Sequence, residues 1–265
     1  MPAAFIGHGS PMNAVESNRH TEAWQAFGQS VLGGFGRPRA ILAISAHWYI
    51  NATAVTAMPR PRTIHDFYGF PEELFGVDYP APGLPELAEE IADAVQPTWV
   101  GADLDSWGID HGTWSVLTHV FPDASVPVVQ LAINADQPLD YHLELGAKLS
   151  PLRERGVLIV GSGNVVHNLR TMNWSVADGA FDWAQRFDDR AREQLLTDPA
   201  GAAGLAGSPD YAASAPTPDH FIPVLYFAGL AAAAPQDTLD VITDGCAYGS
   251  ISMTAYSLGA SWPFS

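Results

Sequence analysis

The sequence predicts an α/β fold, a single domain of residues 1–265 in which a central, mostly parallel or mixed sheet is flanked by helices. Apolar segments without a helical period, such as 40–44 and 157–160, are typical of strands buried on both faces of a sheet. Because these segments alternate with segments of helical period, we expect helices on both faces. A length of 265 residues and a hydrophobic content of 47% suit one large core, and no repeat or break in composition requires a second domain.

The first half of the chain alternates strands and helices around one long loop. Trp24 and Phe27 share a face of the predicted helix 16–31, and the glycines and proline of 33–38 end it. The segment 59–85 is rich in proline and glycine but keeps aromatic anchors, so we expect a long, ordered loop with a functional role. The other predicted elements are strands 3–6, 40–44 and 54–58, helix 85–95, and a helix that starts at Asp110-His111-Gly112 and ends near 121.

The second half continues the same alternation. Residues 200–218 are rich in Ala, Gly, Ser and Pro, which predicts a loop. The proline-containing turn before His220 indicates that a helix opens there. The predicted strands are 126–133, 157–160, 239–242 and 250–256, and the predicted helices are 139–155, 181–196 and 220–234.

The composition excludes several classes of partner. With 29 acidic and 12 basic residues, the net charge of −17 repels nucleic acid and anionic membrane surfaces, so we expect neither as a partner. No apolar run is long enough for a transmembrane helix. Cys246 is the single cysteine, which rules out an internal disulfide framework, and without a signal-peptide pattern the expected compartment is the cytoplasm. The sequence carries no signal of oligomeric state.

Four histidines occupy positions where α/β sheets bind ligands. His8, His47 and His167 each follow a predicted strand, and His220 opens a predicted helix. The carboxyl ends of the strands of one sheet meet at one edge, so these side chains can converge. Neutral imidazole is the commonest metal ligand and suits zinc, iron, copper and nickel. The pattern predicts a metal site at this edge, although a set of packed core histidines would produce the same pattern.

The remaining motifs carry less information. His111 lies where a helix begins, and Gly112 beside it indicates the close approach of another group, which favours a position in a pocket. His65 fits a structural and a pocket position equally well. Gly161-Ser162-Gly163 lacks the third glycine of a dinucleotide-binding loop, and no Gly-x-Ser-x-Gly elbow supports a serine hydrolase. Three further histidines lie within predicted helices and are expected to pack or to face solvent: His20, His119 and His142.

Several motifs occur in a fixed order along nearly the whole chain. They are Gly-His-Gly-Ser-Pro-Met (7–12), Ser-Ala-His-Trp (45–48), Thr-Ile-His-Asp-Phe (63–67), Tyr-Pro-Ala-Pro-Gly (79–83), Trp-Gly-x-Asp-His-Gly (107–112), Gly-Asn-Val-Val-His-Asn-Leu-Arg (163–170) and Pro-Thr-Pro-Asp-His-Phe (216–221). Together they resemble the 4,5-DOPA extradiol dioxygenase branch of the class III extradiol ring-cleavage dioxygenases. The resemblance implies a single α/β domain with a metal at one sheet edge. It also implies that the protein opens the ring of a catechol such as L-DOPA with O2, giving a semialdehyde.

The resemblance also implies roles for individual histidines. His8, His47 and His220 match the metal ligands of the family, and the third of them replaces a carboxylate common in the wider superfamily. His167 matches the catalytic histidine, which takes a phenolic proton and returns it as the oxygen–oxygen bond breaks. In a zinc form, His167 is also a possible fourth ligand. His111 matches a second pocket histidine that contacts substrate or oxygen.

Three neutral ligands suit zinc as well as iron. We expect iron(II) in the active enzyme and zinc as the metal that the isolated protein can hold, since zinc stands above iron(II) in the Irving–Williams order. A catechol and O2 are the expected small-molecule partners. Two alternatives stay open: a zinc-dependent metallohydrolase, whose nucleophile is a zinc-bound water, and a non-catalytic metal-binding module. Consumption of oxygen with a catechol distinguishes the dioxygenase from both.

Overall fold

The computed structural model describes residues 1–260, which form an eight-stranded mixed sheet with helices on both faces. The strands are β1 (Ala3–Gly7), β2 (Ala40–Ile50), β3 (Ala54–Thr56), β4 (Arg62–Thr63), β5 (Gly101–Asp103), β6 (Gly108–Ile109), β7 (Val128–Asn134), β8 (Val157–Gly163), β9 (Leu239–Thr243), β10 (Cys246–Ala247), β11 (Ile251–Ser252) and β12 (Ala255–Leu258). The helices are α1 (Arg19–Phe35), α2 (Glu72–Phe75), α3 (Pro85–Ala94), α4 (His111–Val120), α5 (Leu139–Leu149), α6 (Pro151–Glu154), α7 (Asp182–Thr197), α8 (Tyr211–Ser214) and α9 (Ile222–Ala233), with 3₁₀ helices at Pro11–Ala14 and Pro199–Gly207.

The centre of the large sheet is parallel. Its strand order is β5-β3-β7-β2-β8-β1-β12-β9, and the neighbours β7, β2, β8 and β1 run in the same direction. Strand β12 is antiparallel to both of its neighbours, and β3 is antiparallel to β7. The predicted single α/β domain with a mostly parallel or mixed sheet is therefore confirmed. Because β2, β8 and β1 are adjacent and parallel, their carboxyl ends lie together at one edge of the sheet.

Strand β2 is buried on both faces, as its apolar run predicts. Leu42 and Ile44 pack in a cluster with helices α3, α5, α7 and α9, whereas Ile41 and Ala43 pack in a second cluster with α1 and α4. Successive side chains of a strand point to opposite faces, so two covered faces require an uninterrupted apolar run. Burial of each large aliphatic side chain contributes about 1.5–3 kcal/mol to folding.

Strand β2 is longer than predicted and carries His47 within the strand. The apolar run ends at Ile44, but the strand continues to Ile50. Its pairing with β7 is regular up to Ile44 and resumes at Tyr49, with a shift of register in between. Irregularities of this kind re-aim side chains and are common beside active sites. His47 lies in this irregular stretch, at the carboxyl edge of the sheet.

The segment 200–218, predicted as a loop, contains regular structure, so this prediction is wrong. It holds the second 3₁₀ helix and α8, and Ala202 and Leu205 are buried in the cluster around α9. Alanine has the highest helix propensity, so its abundance there fits a helix as well as a loop. The end of α8 also contributes to the site edge, because the carbonyl of Ser214 accepts a hydrogen bond from the backbone N–H of His167 at 2.7 Å.

Other boundaries differ from the predictions by a few residues for local reasons. The segment 59–85 is mostly loop, as predicted, but includes β4 and α2. Pro151 divides the predicted helix 139–155 into α5 and α6, because proline has no N–H to continue the helical ladder. Strand β8 runs on through Gly163, so Gly161-Ser162-Gly163 is strand and not a phosphate loop.

Helix α9 is apolar around its whole circumference and is almost fully buried. It begins at Ile222, two residues after His220, with Pro223 in its first turn. A helix without a polar face must be enclosed on all sides, and α9 lies between the sheet and α5. Within residues 1–260, none of the helices combines the length and the apolarity that crossing a membrane requires.

Candidate metal centre

His8 and His47 face each other at the carboxyl edge of the sheet. His8 directly follows β1, and His47 lies near the end of β2, with β8 between these two strands. Their Nε2 atoms are 3.3 Å apart. An ion bound to both nitrogens at about 2.1 Å with tetrahedral geometry would hold them about 3.4 Å apart. The observed separation therefore fits a metal ion shared by the two rings.

Ser162 determines which nitrogen of His8 faces His47. Its hydroxyl, on strand β8, donates its single hydrogen to the backbone carbonyl of Gly112. The hydroxyl oxygen also lies 3.0 Å from Nδ1 of His8, so it must accept a hydrogen bond from that nitrogen. With Nδ1 protonated, Nε2 of the neutral ring keeps its lone pair, which is the form that binds a metal ion.

Asp66, in the long loop before α2, holds two histidine rings with one carboxylate. Its Oδ2 lies 2.9 Å from Nδ1 of His47, and its Oδ1 lies 2.8 Å from Nδ1 of His111. A carboxylate only accepts hydrogen bonds, so both Nδ1 atoms donate and both Nε2 atoms turn away from Asp66. Such carboxylate–histidine pairs orient the rings of metal sites and raise their basicity.

Asp110 caps the helix that carries His111. Its side chain accepts a hydrogen bond from the backbone N–H of Thr113, so α4 begins at His111. The carboxylate is fully buried and also accepts hydrogen bonds from the hydroxyl of Ser45 and the amide of Gln130, each at 2.7 Å. These contacts join the start of α4 to β2 and β7, and they thereby fix the position of His111, the first residue of that helix.

Two glycines let the histidine-bearing elements approach each other. A Cβ atom on Gly112 would lie 2.7 Å from Cδ2 of His47, and one on Gly163 would lie 2.3 Å from the carbonyl oxygen of His220. Both distances are shorter than a carbon atom can tolerate, so neither position accepts a side chain without displacement. The start of α4 can therefore pack this closely against β2 only because residue 112 is glycine. In the same way, the turn before α9 can pack against β8 only because residue 163 is glycine.

His220 approaches the pair from the turn before α9. Its Nδ1 donates a hydrogen bond to the carboxylate of its neighbour Asp219, which leaves Nε2 available. Its ring centroid lies 5.3 Å from that of His8 and 5.1 Å from that of His47. His167 stacks on His220, with the ring centroids 3.5 Å apart and 4° between the ring planes. The ends of β1 and β2, the segment after β8 and the turn before α9 thus bring four histidines together in one pocket.

The donor set fits a divalent metal ion. Donor atoms of His8, His47 and His111 all lie within 4.8 Å of one another, so these three residues form a candidate metal site. The rings of His8, His47 and His220 form a nearly regular triangle with sides of 5.1, 5.3 and 5.1 Å. Imidazoles bound to one ion with tetrahedral geometry have ring centroids about 5.2 Å apart. Nitrogen ligands of this kind suit zinc and iron.

Most of these imidazoles are neutral at neutral pH. Burial and the neighbouring imidazoles hold the pKa of His8 and that of His220 well below the ordinary value. Burial likewise lowers the pKa of His167 to about 4. For His47, burial lowers the pKa, but the hydrogen bond to Asp66 and nearby carboxylates outweigh burial and leave the pKa raised. Neutral imidazole is the form that binds a metal ion, so the cluster is prepared to bind one.

The histidines open into a pocket of about 500 Å³. Its walls come from the loop after Asp66 and from the segment after His167, and they include Phe67, Phe70 and Met172. Apolar walls beside a few converging polar groups are typical of sites for small molecules. A larger groove of about 730 Å³ lies beside α7, but it is lined mainly by charged side chains and contains no histidine. The pocket at the histidines is therefore the candidate active site.

The structure brings all the site residues that the sequence predicts to this one pocket: His8, His47, His111, His167 and His220. Sequence reasoning assigned no role to Asp66, Asp219 or Ser162, which orient the rings. The sequence could have indicated Asp66 and Asp219, since each lies within a histidine motif. It could not have indicated Ser162 as the partner of His8, because only the parallel pairing of β1 with β8 brings the two residues together.

The other histidines have structural partners. His65 contacts the carbonyl of Val77 at 2.8 Å, which favours the structural interpretation of this loop residue. His20, His119 and His142 are hydrogen-bonded within their own surroundings, away from the pocket, as predicted; their partners are Thr243, Gln25 together with Asn13, and Tyr226.

Comparisons with known proteins match the whole chain. The family model described as the catalytic LigB subunit of aromatic ring-opening dioxygenase matches residues 2–259. A 4,5-DOPA dioxygenase extradiol of Escherichia coli (strain K12) is 43% identical over 263 residues, which cover 98% of this chain and 95% of that protein. A 4,5-DOPA dioxygenase extradiol of Beta vulgaris is 34% identical, with 83% of each protein covered. The crystal structure of the uncharacterized protein JW3007 from Escherichia coli K12 has a TM-score of 0.84 at 37% identity, and the match covers 98% of this chain and 100% of that one.

These matches agree with the histidine cluster at the sheet edge. The family model spans nearly all of the described residues, and the relatives named as extradiol dioxygenases are similar over 98% and 83% of the chain. The chain therefore belongs to the family of catalytic LigB subunits of aromatic ring-opening dioxygenases and is an extradiol dioxygenase.

Proposed function

We propose that the protein cleaves the ring of a catechol such as L-DOPA, inserting both atoms of O2 and giving a ring-opened semialdehyde. The observation that carries this proposal is the cluster of histidine rings around one point, open to an apolar pocket of about 500 Å³. Relatives named 4,5-DOPA dioxygenase extradiol support L-DOPA as the first catechol to test.

We assign His8, His47 and His220 as the metal ligands. Their ring centroids are evenly spaced, whereas the ring of His111 lies only 3.9 Å from that of His47 and 6.1 Å from that of His8. Two imidazoles bound at right angles to one ion have centroids about 4.6 Å apart, so the shorter distance between His47 and His111 favours His220 as the third ligand, although the donor atoms of His111 also lie within 4.8 Å of those of His8 and His47. His111 is better suited to the wall of the pocket.

His167 fits the role of general base. Its ring is stacked parallel to that of His220, so the lone pairs of the two rings lie in separate, parallel planes and would not converge on one ion. This arrangement supports proton transfer over the alternative of a fourth ligand, because a ligand nitrogen must point at the ion. His167 lines the pocket, and its unprotonated ring can accept the proton of a ring hydroxyl and later return it.

His111 fits the role of a positioning group for the substrate. Its Nδ1 donates to Asp66, so its Nε2 carries a lone pair that can accept a hydrogen bond from a ring hydroxyl. The cap by Asp110 and the carboxylate of Asp66 hold the ring from two sides. A bound iron(II) ion would supply the positive charge that lowers the pKa of the hydroxyls and would let electrons pass from the catechol to O2.

We expect iron(II) in the active enzyme, and zinc as a metal that the isolated protein can hold. Protein loaded anaerobically with iron(II) should consume about one O2 per L-DOPA, and mass spectrometry should show a product heavier by two oxygen atoms. Zinc-loaded protein, which cannot exchange electrons, is the matched control and should consume no oxygen. A zinc-dependent metallohydrolase or a non-catalytic metal-binding module would show no uptake with either metal, and that result would overturn the proposal.

A further inference from the structure

A second cavity adjoins the histidine pocket. This side cavity has a volume of about 280 Å³ and is bordered by the start of α1 and by residues around β10 and β11. Two residues, Ser10 and Tyr248, line both the side cavity and the histidine pocket. A substituent on a ligand in the histidine pocket that passes these two residues would therefore enter the side cavity.

The junction of the two cavities lies close to His8. Ser10 is two residues further along the chain, which corresponds to at most about 7 Å of backbone. Gly9 lines the histidine pocket, and a Cβ atom on it would lie 2.3 Å from Sδ of Met253, which lines the side cavity. The backbone beside His8 is thus packed directly against the wall of the side cavity. A catechol with its hydroxyls at the histidines would need only a short side chain to reach the junction.

Tyr248 is held at this junction in a conformation that tyrosine rarely adopts. Its φ of 56° lies in the left-handed region, which costs a non-glycine residue on the order of 1–3 kcal/mol. Its ring packs against that of Trp174, with centroids 4.8 Å apart, and its carbonyl accepts a hydrogen bond from the backbone N–H of Asn173 at 3.0 Å. Strain of this kind is concentrated at ligand-binding sites, where the surrounding contacts impose it. The conformation therefore indicates a role for Tyr248 in binding.

The side cavity supplies charges that the histidine pocket lacks. Along residues 1–260, no arginine or lysine lines the histidine pocket, and both oxygens of Asp66 are held by histidines. The side cavity, by contrast, is lined by Arg19 and by the carboxylates of Glu16 and Asp178. A charged group at the end of a ring substituent would thus find its partners in the side cavity.

Arg19 and Glu16 can each take a further charged partner. Arg19 pairs with Asp178 at 3.0 Å and with Asp244 at 3.7 Å, and these aspartates hold the guanidinium group in place. A guanidinium group has five N–H donors, so donors remain for the carboxylate of a ligand. Because Arg19 pairs with the aspartates rather than with Glu16, the carboxylate of Glu16 remains for a cation. Burial and this same carboxylate raise the pKa of Tyr248, so Glu16 acts close to the junction.

We infer that the side cavity binds the amino-acid end of a catechol substrate, with Arg19 receiving the carboxylate and Glu16 the ammonium group. An α-amino acid carries both groups on one carbon atom, so charges of both signs within one small cavity match it. The hydroxyl of Tyr248 can donate to the carboxylate or accept from the ammonium group. The inference rests on the proposed function, because it takes the hydroxyls of the catechol to be directed at the histidines.

Four catechols that differ in the charges of their side chains test the inference. L-DOPA carries both groups, dopamine only the ammonium group, 3-(3,4-dihydroxyphenyl)propionate only the carboxylate, and catechol neither. Their dissociation constants are measured by calorimetry on zinc-loaded protein, which cannot exchange electrons with the ligand. Each variant below is compared with the wild type for all four compounds.

Arg19→Gln should weaken binding of L-DOPA and of the propionate by about two- to fivefold, the worth of an exposed ion pair. The side chain of Arg19 is 47% exposed, so a larger effect is not expected. Dopamine and catechol, which have no carboxylate, should bind no more weakly than to the wild type. Arg192→Gln is the matched control, because Arg192 also pairs with Asp244, at 3.1 Å, but does not line the side cavity.

Glu16→Gln should produce the complementary pattern. Binding of L-DOPA and dopamine should weaken by about two- to fivefold, whereas binding of the propionate and of catechol should not weaken. Glu22→Gln, which removes an exposed carboxylate from α1 outside the side cavity, is the control. If Arg19→Gln and Glu16→Gln leave L-DOPA unchanged, or weaken all four compounds equally, the inference is overturned.

Tyr248→Phe tests the junction by steady-state kinetics on iron-loaded protein. Phenylalanine keeps the ring against Trp174 and removes only the hydroxyl, so KM for L-DOPA should rise by about two- to tenfold, the worth of one hydrogen bond. The KM for catechol, which has no side chain to reach the junction, should change less than twofold. An unchanged KM for L-DOPA would contradict the proposed path past Tyr248.

The two readouts separate the inference from the proposed function. If no catechol consumes oxygen on iron-loaded protein but the two patterns of weakened binding are observed on zinc-loaded protein, the proposed function fails and the inference stands. If L-DOPA is cleaved but its binding is the same in wild type, Arg19→Gln and Glu16→Gln, the inference fails and the proposed function stands.

Discussion

The imidazole of His167 lies flat against that of His220, with ring centroids 3.5 Å apart and 4° between the planes. The stack joins the segment after β8 to the turn before α9, and Gly163 makes the approach possible. Stacked, parallel rings direct their nitrogens into separate planes. The stack thus supports the proposed division between a residue that transfers protons, His167, and a metal ligand, His220.

Replacement of His167 by phenylalanine should remove proton transfer and keep the metal. Phenylalanine preserves a flat ring against His220 but has no basic nitrogen. We expect oxygen uptake with a catechol to fall by a factor on the order of 10²–10⁴, the usual contribution of a general base. Metal content, measured by mass spectrometry, should stay at the wild-type level. Near-normal uptake with full iron would remove His167 from the chemistry, and loss of the metal would make it a ligand instead.

Alanine substitutions distinguish the two possible sets of three ligands. His8→Ala and His47→Ala should each lose stoichiometric metal in either case, because their Nε2 atoms are 3.3 Å apart. His220→Ala should also lose the metal, whereas His111→Ala should retain it, since the ring of His111 is only 3.9 Å from that of His47. Metal per chain after dialysis is the measurement. If His111→Ala loses the metal and His220→Ala retains it, His111 is the third ligand and His220 is not.

Asp66→Asn should weaken metal binding although Asp66 does not contact the ion. Asn carries no charge and cannot accept with both of its terminal atoms, so either His47 or His111 loses its partner. Loss of an orienting carboxylate lowers metal affinity by about 10–100-fold. Asp78→Asn, in the same loop, is the control, because Asp78 accepts a hydrogen bond from Thr63 and touches no histidine of the cluster. Equal metal affinity in the two variants would refute the role of Asp66.

Asp188, a buried carboxyl on α7, makes stability depend on pH. Burial raises the pKa of this carboxyl to about 6, although Ser252 and Thr254 donate hydrogen bonds to it. The folded chain therefore binds its proton more tightly than the unfolded chain does. This contribution to stability is fully present below the unfolded pKa, about 4, and is lost as the pH rises through about 6.

The measurement is urea unfolding at pH 5 and pH 8 on wild type and Asp188→Asn. The free energy of unfolding of the wild type, relative to the variant, should be about 1.4 kcal/mol higher at pH 5 than at pH 8. Glu193→Gln removes an exposed carboxylate from the same helix and should show the wild-type dependence. A difference between wild type and Asp188→Asn that does not vary with pH would show that Asp188 does not titrate in this range.

Local sequence patterns predict most of the fold because the strands and helices repeat simple physical rules. The run 40–44 has the composition of a strand with two covered faces, and residues 126–133 and 157–160 follow the same rule. The prediction of a loop at 200–218 is wrong, because the small residues of this segment fit both a loop and a helix. Only their burial against α9 favours the helix. The extension of β2 to Ile50 was also not predicted, because His47 and Trp48 interrupt the apolar pattern.

The sequence by itself determines the class of chemistry. Histidines after buried strands, at His8 and His47, can belong to one site only if the strands lie close together in one sheet, and an α/β pattern makes that the ordinary result. Tertiary structure alone decides how each ring is oriented. Asp66 reaches His111 across 45 residues of chain, and Ser162 reaches His8 across 154. Local patterns encode elements whose contacts are near in sequence, whereas a hydrogen bond between distant segments exists only once the sheet has aligned them.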